Sequence, residues 1–152
     1  MTKAFQTQYA LCYTYKYNFN VVIARIFNLF AQGLSERLFL GRLEKQINSY
    51  LQGEIKEIKV GNLHSYRDYI NVNEAIYQLN IIAEKGYAGE VYHVASGKPK
   101  LMRNLLKELL NDFHLDFSIV KEGCHVPGKL NNDIPIIYAD MSKTNKLIGI
   151  NG

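Results

Sequence analysis

Phe19-Asn20-Val21-Val22-Ile23-Ala24-Arg25-Ile26-Phe27 is β-branched and almost continuously apolar, and this stretch decides the fold class. A strand without polar alternation is expected to lie buried on both faces of a parallel sheet, covered by crossover helices. Such a strand needs neighbours. Upstream, Phe5, Tyr9, Cys12 and Tyr13 recur at intervals of three and four, so Thr2 to Tyr17 predicts a helix with those residues on its packed face. Downstream, residues 28–33 read as a loop. Ser35 and Glu36 then open a helix carrying Phe39, Leu43, Ile47, Tyr50 and Leu51 on one side up to Gly53. Ile58 and Val60 alternate with charged residues as a short strand before a turn at Gly61-Asn62. Residues 71–85 predict a helix with Ile76, Leu79 and Ala83 inward and Gly86 as its stop. A strand follows over 90–95, then an amphipathic helix over 101–113, a strand over 117–120, an apolar stretch over 134–139 and a short helix from Asp140.

The alternation of strands and helices makes this an α/β chain, yet only one strand is long and fully apolar. A doubly wound sheet built on one central strand would leave open edges, which proteins cover. The pattern suits the C-terminal portion of a larger, parallel doubly wound α/β protein better than a complete one.

Composition narrows the function classes. The 152 residues are 47% hydrophobic and 21% charged, as expected for soluble globular sequence, with no apolar run near the length of a membrane span and no signal-peptide layout at Met1-Thr2-Lys3. Two cysteines, Cys12 and Cys124, are too few for a disulfide framework or a zinc site, so a reducing, cytoplasmic setting is expected. The net charge of +4 is dispersed rather than gathered in a stripe, which argues against nucleic acid and is compatible with an anionic small ligand. His64, His114 and His125 have no partner at metal-ligand spacing. Eleven tyrosines and seven phenylalanines occur with no tryptophan, and Tyr9, Tyr13, Tyr15 and Tyr17 crowd the first helix, which implies that this segment packs against something.

Four separated blocks then carry a resemblance: Val21-Val22-Ile23-Ala24-Arg25-Ile26-Phe27-Asn28, Gly33-Leu34-Ser35-Glu36-Arg37, Val60-Gly61-Asn62-Leu63 with Arg67-Asp68-Tyr69, and Gly89-Glu90-Val91-Tyr92-His93-Val94-Ala95-Ser96-Gly97. In this order they resemble the second half of the extended short-chain dehydrogenase/reductases, in the branch of GDP-mannose 4,6-dehydratases and GDP-6-deoxy-D-mannose reductases. The resemblance runs from about Thr2 to about Gly149. It implies NAD(P)-dependent chemistry on a GDP-hexose. It also implies that residues 1–33 are a remnant of a Rossmann-type parallel sheet, to which later segments return, and that 34–152 are mostly a small mixed α/β substrate-binding domain.

The resemblance places Lys3 at the lysine of the family's Tyr-x-x-x-Lys motif, with the tyrosine just before Met1. A tyrosine hydroxyl there exchanges a proton with the sugar while the ammonium lowers its pKa and hydrogen-bonds the nicotinamide ribose. By residue type alone Lys3 is a solvated lysine at a helix N-terminus. Lys3 and Arg25 are therefore the expected cofactor-side residues, Lys3 also the catalytic one, and Asn28, Arg67 and Lys129 the substrate-side residues. Asn28 closes the apolar strand, where an open α/β sheet presents its ligand, and is otherwise a turn asparagine. Arg67, expected in a loop, offers a fork of donors to a diphosphate and is otherwise a surface ion-pair residue beside Asp68. Arg37 and Lys45 read as solvated positions.

The departures from the family are specific. Ile26 replaces a proline, His93 and Ala95 replace a frequent Asn and Gly, and Leu130 stands at an expected arginine with Lys129 beside it. No Gly-x-x-Gly-x-x-Gly or Gly-x-Gly-x-x-Gly string occurs in the 152 residues, so the phosphate cradle is missing. The expectation is a chain without turnover of its own, which binds a nucleotide sugar or pairs with a copy of itself or a complementary Rossmann-half chain.

Overall fold

The computed structural model describes residues 2–124 and 134–149 and divides them into two compact units. Unit 1 comprises Met1–Leu29, Tyr69–Lys98 and Ala139–Gly152; unit 2 comprises Phe30–Asp68 and Pro99–Tyr138. The chain is α/β with parallel and antiparallel pairing, as its alternating pattern predicts.

Unit 1 opens with α1 (Lys3–Tyr17), started by the Thr2 hydroxyl, which accepts the Phe5 N–H, and stopped by Asn18 in the left-handed region at φ 55°. β1 (Ile23–Ile26) pairs in parallel with β5 (Val91–Val94), Ile23 opposite Val91 and Arg25 opposite His93. β2 (Asn28–Phe30) follows where a loop was expected. Between them in sequence lies α3 (Val72–Lys85), capped by the Asn71 side chain accepting the Asn73 N–H at 2.9 Å. α5 (Ser142–Ile148) completes the unit. Its core gathers Ile70, Ala75, Ile82, Tyr92 and Val94, with Val22, Ala24, Leu79 and Leu147 packed around them.

Three expectations need correction here. No residue of β1 is fully buried, because among the described residues it pairs with β5 alone and only its Ala24 side turns to the core. α1 packs through Thr7, Ala10, Leu11 and Thr14, whereas Phe5, Tyr9, Cys12 and Tyr13 are exposed. The exposed rings instead lean on one another, with Tyr13 5.5 Å from Tyr9 and 6.0 Å from Phe19, centroid to centroid. On α3 the inward face is Ala75, Gln78 and Ile82, and Ile76 and Ala83 face outward. Gln78 belongs inside because it clasps the backbone of Ala95, its amide donating to the carbonyl at 3.0 Å and accepting the N–H at 3.1 Å.

Unit 2 holds α2 (Phe39–Leu51), with Leu40, Gly41, Leu43 and Ile47 buried, and α4 (Met102–Asp112), with Met102, Leu105, Leu106 and Leu110 buried. α2 begins later than Ser35, whose carbonyl instead accepts the Leu38 N–H in a preceding turn. β4 (Tyr66–Asn71) pairs antiparallel with β6 (Pro99–Leu101) and in parallel with β8 (Ile136–Ile137). β3 (Ile58–Lys59) pairs in parallel with β7 (Val120–Lys121). The strand expected over 117–120 begins as a single 3-10 turn, Phe117–Ile119, because the Asp116 carboxylate accepts the Ser118 N–H at 2.8 Å and bends the backbone.

Candidate functional site

Unit 1 presents its chemistry on the side of the sheet that faces α1. Lys3, Gln6, Thr7 and Ala10 of α1 and Ile23–Ile26 of β1 surround a hollow of about 350 Å³. The structure thus brings together Lys3 and Arg25, the two residues expected on the cofactor side. Arg25 donates from Nη2 to the Thr7 hydroxyl at 3.4 Å, and that hydroxyl donates to the Lys3 carbonyl at 3.2 Å. The lining holds two cations and no carboxylate. Lys3 stands in the first turn of a helix with no acidic residue there, at the end where the macrodipole disfavours a cation. An anion in the hollow would relieve both charges.

Asn28 lies one residue beyond the Phe27 N–H, which donates to the Val94 carbonyl at 3.0 Å and closes the parallel pairing. It therefore occupies the carboxyl end of the strands, the position expected of it. Beside it in unit 1 is a residue that the sequence marked only as a departure. His93 Nδ1 lies 3.0 Å from the Asp140 carbonyl, which makes Nδ1 the protonated nitrogen, and its ring meets Phe27 edge-on at 5.5 Å. The buried Thr144 hydroxyl donates to the His93 carbonyl at 2.7 Å. Histidine at this position is thus built into the strand end by two separate elements.

Asp140 caps α5. Its carboxylate accepts the Ser142 N–H at 2.9 Å, and this bond, with the Ser142 hydroxyl and then His93, holds the carboxyl below the ordinary carboxylate range. A depressed folded pKa contributes stability that is complete above the unfolded value of about 4 and is lost as the pH falls through the lower folded value. Asp140→Asn retains a capping oxygen without the titration. Thermal melts of the variant and the parent between about pH 2 and 5 should therefore differ in slope, the variant being the flatter. Parallel curves would exclude Asp140 from the acid response.

In unit 2, Arg67 lies on β4 rather than in a loop, opposite Lys100 on one side and Ile137 on the other. It is half-buried and donates to the Tyr66 carbonyl at 2.7 Å, while Asp68 next to it is fully buried. Strand geometry sends these successive side chains to opposite faces. Of the two cations read as solvated, Lys45 pairs with Glu36 at 2.8 Å, and the Arg37 carbonyl accepts from Arg42 at 3.0 Å. Lys129 lies outside the described residues.

The sequence reading named Phe39 only as a helix-face residue and missed Arg42 and Gln46; all three line a small hollow with Leu43 and the segment from Lys59 to Asn62. Gln46 holds that segment, accepting the Lys59 N–H at 2.8 Å and donating to its carbonyl at 3.2 Å. Their spacing of three and four along α2 is the signal that could have found them. Among the described residues no group of His, Cys, Asp or Glu could hold a metal ion, and no helix is long and apolar enough to cross a membrane.

Comparison with known proteins places the fold among solved structures. The solved structure of RMD from Pseudomonas aeruginosa, complexed with NADPH, superposes at a TM-score of 0.80 with 19% identity, over 95% of this chain and 47% of that one. The dTDP-glucose 4,6-dehydratase DesIV from Streptomyces venezuelae, with NAD and TYD bound, gives 0.79 and 20% identity over 98% of this chain and 44% of that one. These likenesses establish a common fold. In sequence, GDP-6-deoxy-D-mannose reductase of Pseudomonas aeruginosa is 27% identical over 103 residues, 67% of this chain and 34% of that protein. The chain thus spans about a third of the length of that curated relative. The family model for GDP-mannose 4,6-dehydratase matches residues 1–146. With the match covering nearly all of its length, the chain belongs to the GDP-mannose 4,6-dehydratase family.

Proposed function

We infer that this chain supplies the nucleotide-sugar-binding part of an NAD(P)-dependent GDP-hexose dehydratase or reductase, and that these 152 residues do not turn substrate over by themselves. The family match over residues 1–146 carries the reading. Unit 2 supports its substrate side: Arg67 offers a planar, cationic fork of donors suited to the two phosphates of a nucleoside diphosphate. Asn28 offers an amide that can both donate to and accept from a sugar hydroxyl. Residues 1–33 belong to the cofactor side, with 69–98 and 139–152 returning to it, and the rest of 34–152 to the substrate side. The composition of unit 1 from three separated segments, the first ending at Leu29 rather than Gly33, supports a cofactor side to which later segments return.

The cofactor reading rests on Lys3 and Arg25. Two cations and no carboxylate around one hollow fit part of an anionic dinucleotide, and Lys3 would hydrogen-bond a ribose there. NAD(P), when bound, supplies or accepts the hydride. The glycine string that would cradle its pyrophosphate does not occur in the sequence, so these residues hold the dinucleotide weakly at most.

Calorimetry with GDP tests the substrate side. Binding is expected, and Arg67→Ala should weaken it by tenfold to a hundredfold, the effect of losing a charge-assisted pair worth roughly 1.5–3 kcal/mol. No heat at millimolar GDP, or an affinity untouched by Arg67→Ala, overturns the reading. Incubation with NADPH and GDP-4-keto-6-deoxymannose should give no turnover; a rate of about 1 per second or more would overturn that part.

A further inference from the structure

Arg67 shares its face of the unit 2 sheet with a second cation. β4 and β6 pair antiparallel, with Tyr66 opposite Leu101, Arg67 opposite Lys100 and Asp68 opposite Pro99. Residues directly opposite on antiparallel strands belong to one face, their Cβ atoms about 5 Å apart. Lys100 therefore stands beside Arg67, whereas the fully buried Asp68 belongs to the opposite face. On the other flank Arg67 is opposite Ile137 of β8, which brings no charge. Like charges directly opposite on a ladder destabilise it, so the sheet keeps this pair at some cost in stability.

The countercharge on Lys100 comes from α4. Its ammonium is bonded to the Glu108 carboxylate, and the two side chains are 40% and 54% exposed. An ion pair this open to solvent is weak and exchanges readily for a stronger anion. A phosphate is such an anion, with more charge than a carboxylate and three acceptor oxygens. The two cations also differ in what they hold. A guanidinium takes two oxygens of one phosphate through its fork. An ammonium, a point charge on a flexible stem, reaches an adjacent phosphate from the next strand, about 4.8 Å away.

We propose that Lys100 is a second phosphate contact on this face, with Glu108 as the phosphate's competitor for it. Arg67 and Lys100 together then distinguish a nucleoside diphosphate from a monophosphate. The diphosphate engages both cations, whereas the monophosphate engages the fork of Arg67 alone. This rests on the reading of Arg67 as a diphosphate residue and adds the group that tells one phosphate from two.

The test is calorimetry with GDP and with GMP on the intact chain and three variants. Lys100→Gln should weaken GDP about tenfold and GMP less than about twofold, and Lys100→Arg, which keeps the charge, should hold GDP within about threefold of the parent. Glu108→Gln removes the competitor and should tighten GDP about threefold. If the Lys100–Glu108 bond served only to hold β6 against α4, breaking it from either end would weaken GDP alike, and that result would overturn the proposal. So would equal losses for GDP and GMP in Lys100→Gln, or no loss in either. GDP binding that falls with Arg67→Ala and ignores Lys100→Gln removes the role of Lys100 alone. No binding of GDP to the parent chain removes the nucleotide-sugar reading, and this proposal with it.

Discussion

Gly41→Ala is expected to destabilise the chain by about 3 kcal/mol, although alanine is the better helix former by roughly 1 kcal/mol. Gly41 is buried in α2, where a side chain has no room. An ideal Cβ would lie 2.6 Å from the carbonyl carbon of Ser35 and closer still to the carbonyl oxygens of Leu34 and Ser35. These are backbone atoms, and the Ser35 carbonyl is already committed to the Leu38 N–H at 2.9 Å. They cannot yield as a flexible side chain would. The 34–35 segment must move off the helix, or the helix must shift away from the packing of Leu40 and Leu43. Urea unfolding measures the result: a lower midpoint is expected, and an unchanged or higher midpoint would mean that the chain does not pass over Gly41 at this distance.

The second large effect is expected at Gln78. Its side chain is 4% exposed and makes two bonds to the backbone of Ala95, itself buried. Gln78→Ala leaves an N–H and a carbonyl unsatisfied in the interior, each costing about 1–3 kcal/mol, so a loss of about 3 kcal/mol is expected. Gln78→Leu separates two explanations. It restores volume and removes the bonds, so it should be no more stable than Gln78→Ala if the polar clasp matters. Recovery of the parent melting temperature by leucine would show that the site needs only filling.

Gln78 also shows where sequence reading falls short. The helix over residues 71–85 was legible from its period, and Leu79 does pack against the core, but Ile76 and Ala83 were also assigned inward and Gln78 was not, because glutamine counts as a solvent residue. The face is rotated toward Ala75 and Ile82, and nothing in the local pattern states that Ala95 requires a partner. A similar difficulty affects α1, where aromatic residues at helical spacing mark a stripe without revealing which side meets the sheet. The small residues Thr7 and Ala10 admit β1, and the rings remain outside. α4 was read correctly because its apolar stripe and its packed face coincide.

The candidate site divides along the same line. Asn28, Lys3 and Arg25 were all assigned by the resemblance, Asn28 with the support of its position at the end of an apolar strand; the structure adds that Lys3 and Arg25 line one hollow. Arg67 was expected in a loop because Tyr66-Arg67-Asp68-Tyr69 has no simple alternation, yet pairing with β6 and β8 makes it a strand. Partners on a ladder come from distant sequence, 33 residues away for Lys100, and a local window does not contain them. Arg42 and Gln46 went unnoticed, and Phe39 was read only as part of a helix face, because their common purpose, holding and facing the segment from Lys59 to Asn62, exists only after folding.

The interleaved make-up of the two units bears on how the chain is born. Unit 2 has all its residues once position 138 has been synthesised, whereas unit 1 still lacks α5, which brings Leu147 to its core and the Thr144 hydroxyl to the His93 carbonyl. A seven-residue helix has little stability of its own and forms only as it docks. Until then α1, β1 and the first turn of α3 wait on the ribosome with their core open, the state in which newly made proteins most need a chaperone. Slow translation of residues 139–152 would prolong that exposure, and a ribosome stalled before Ala139 would hold one unit finished and the other not.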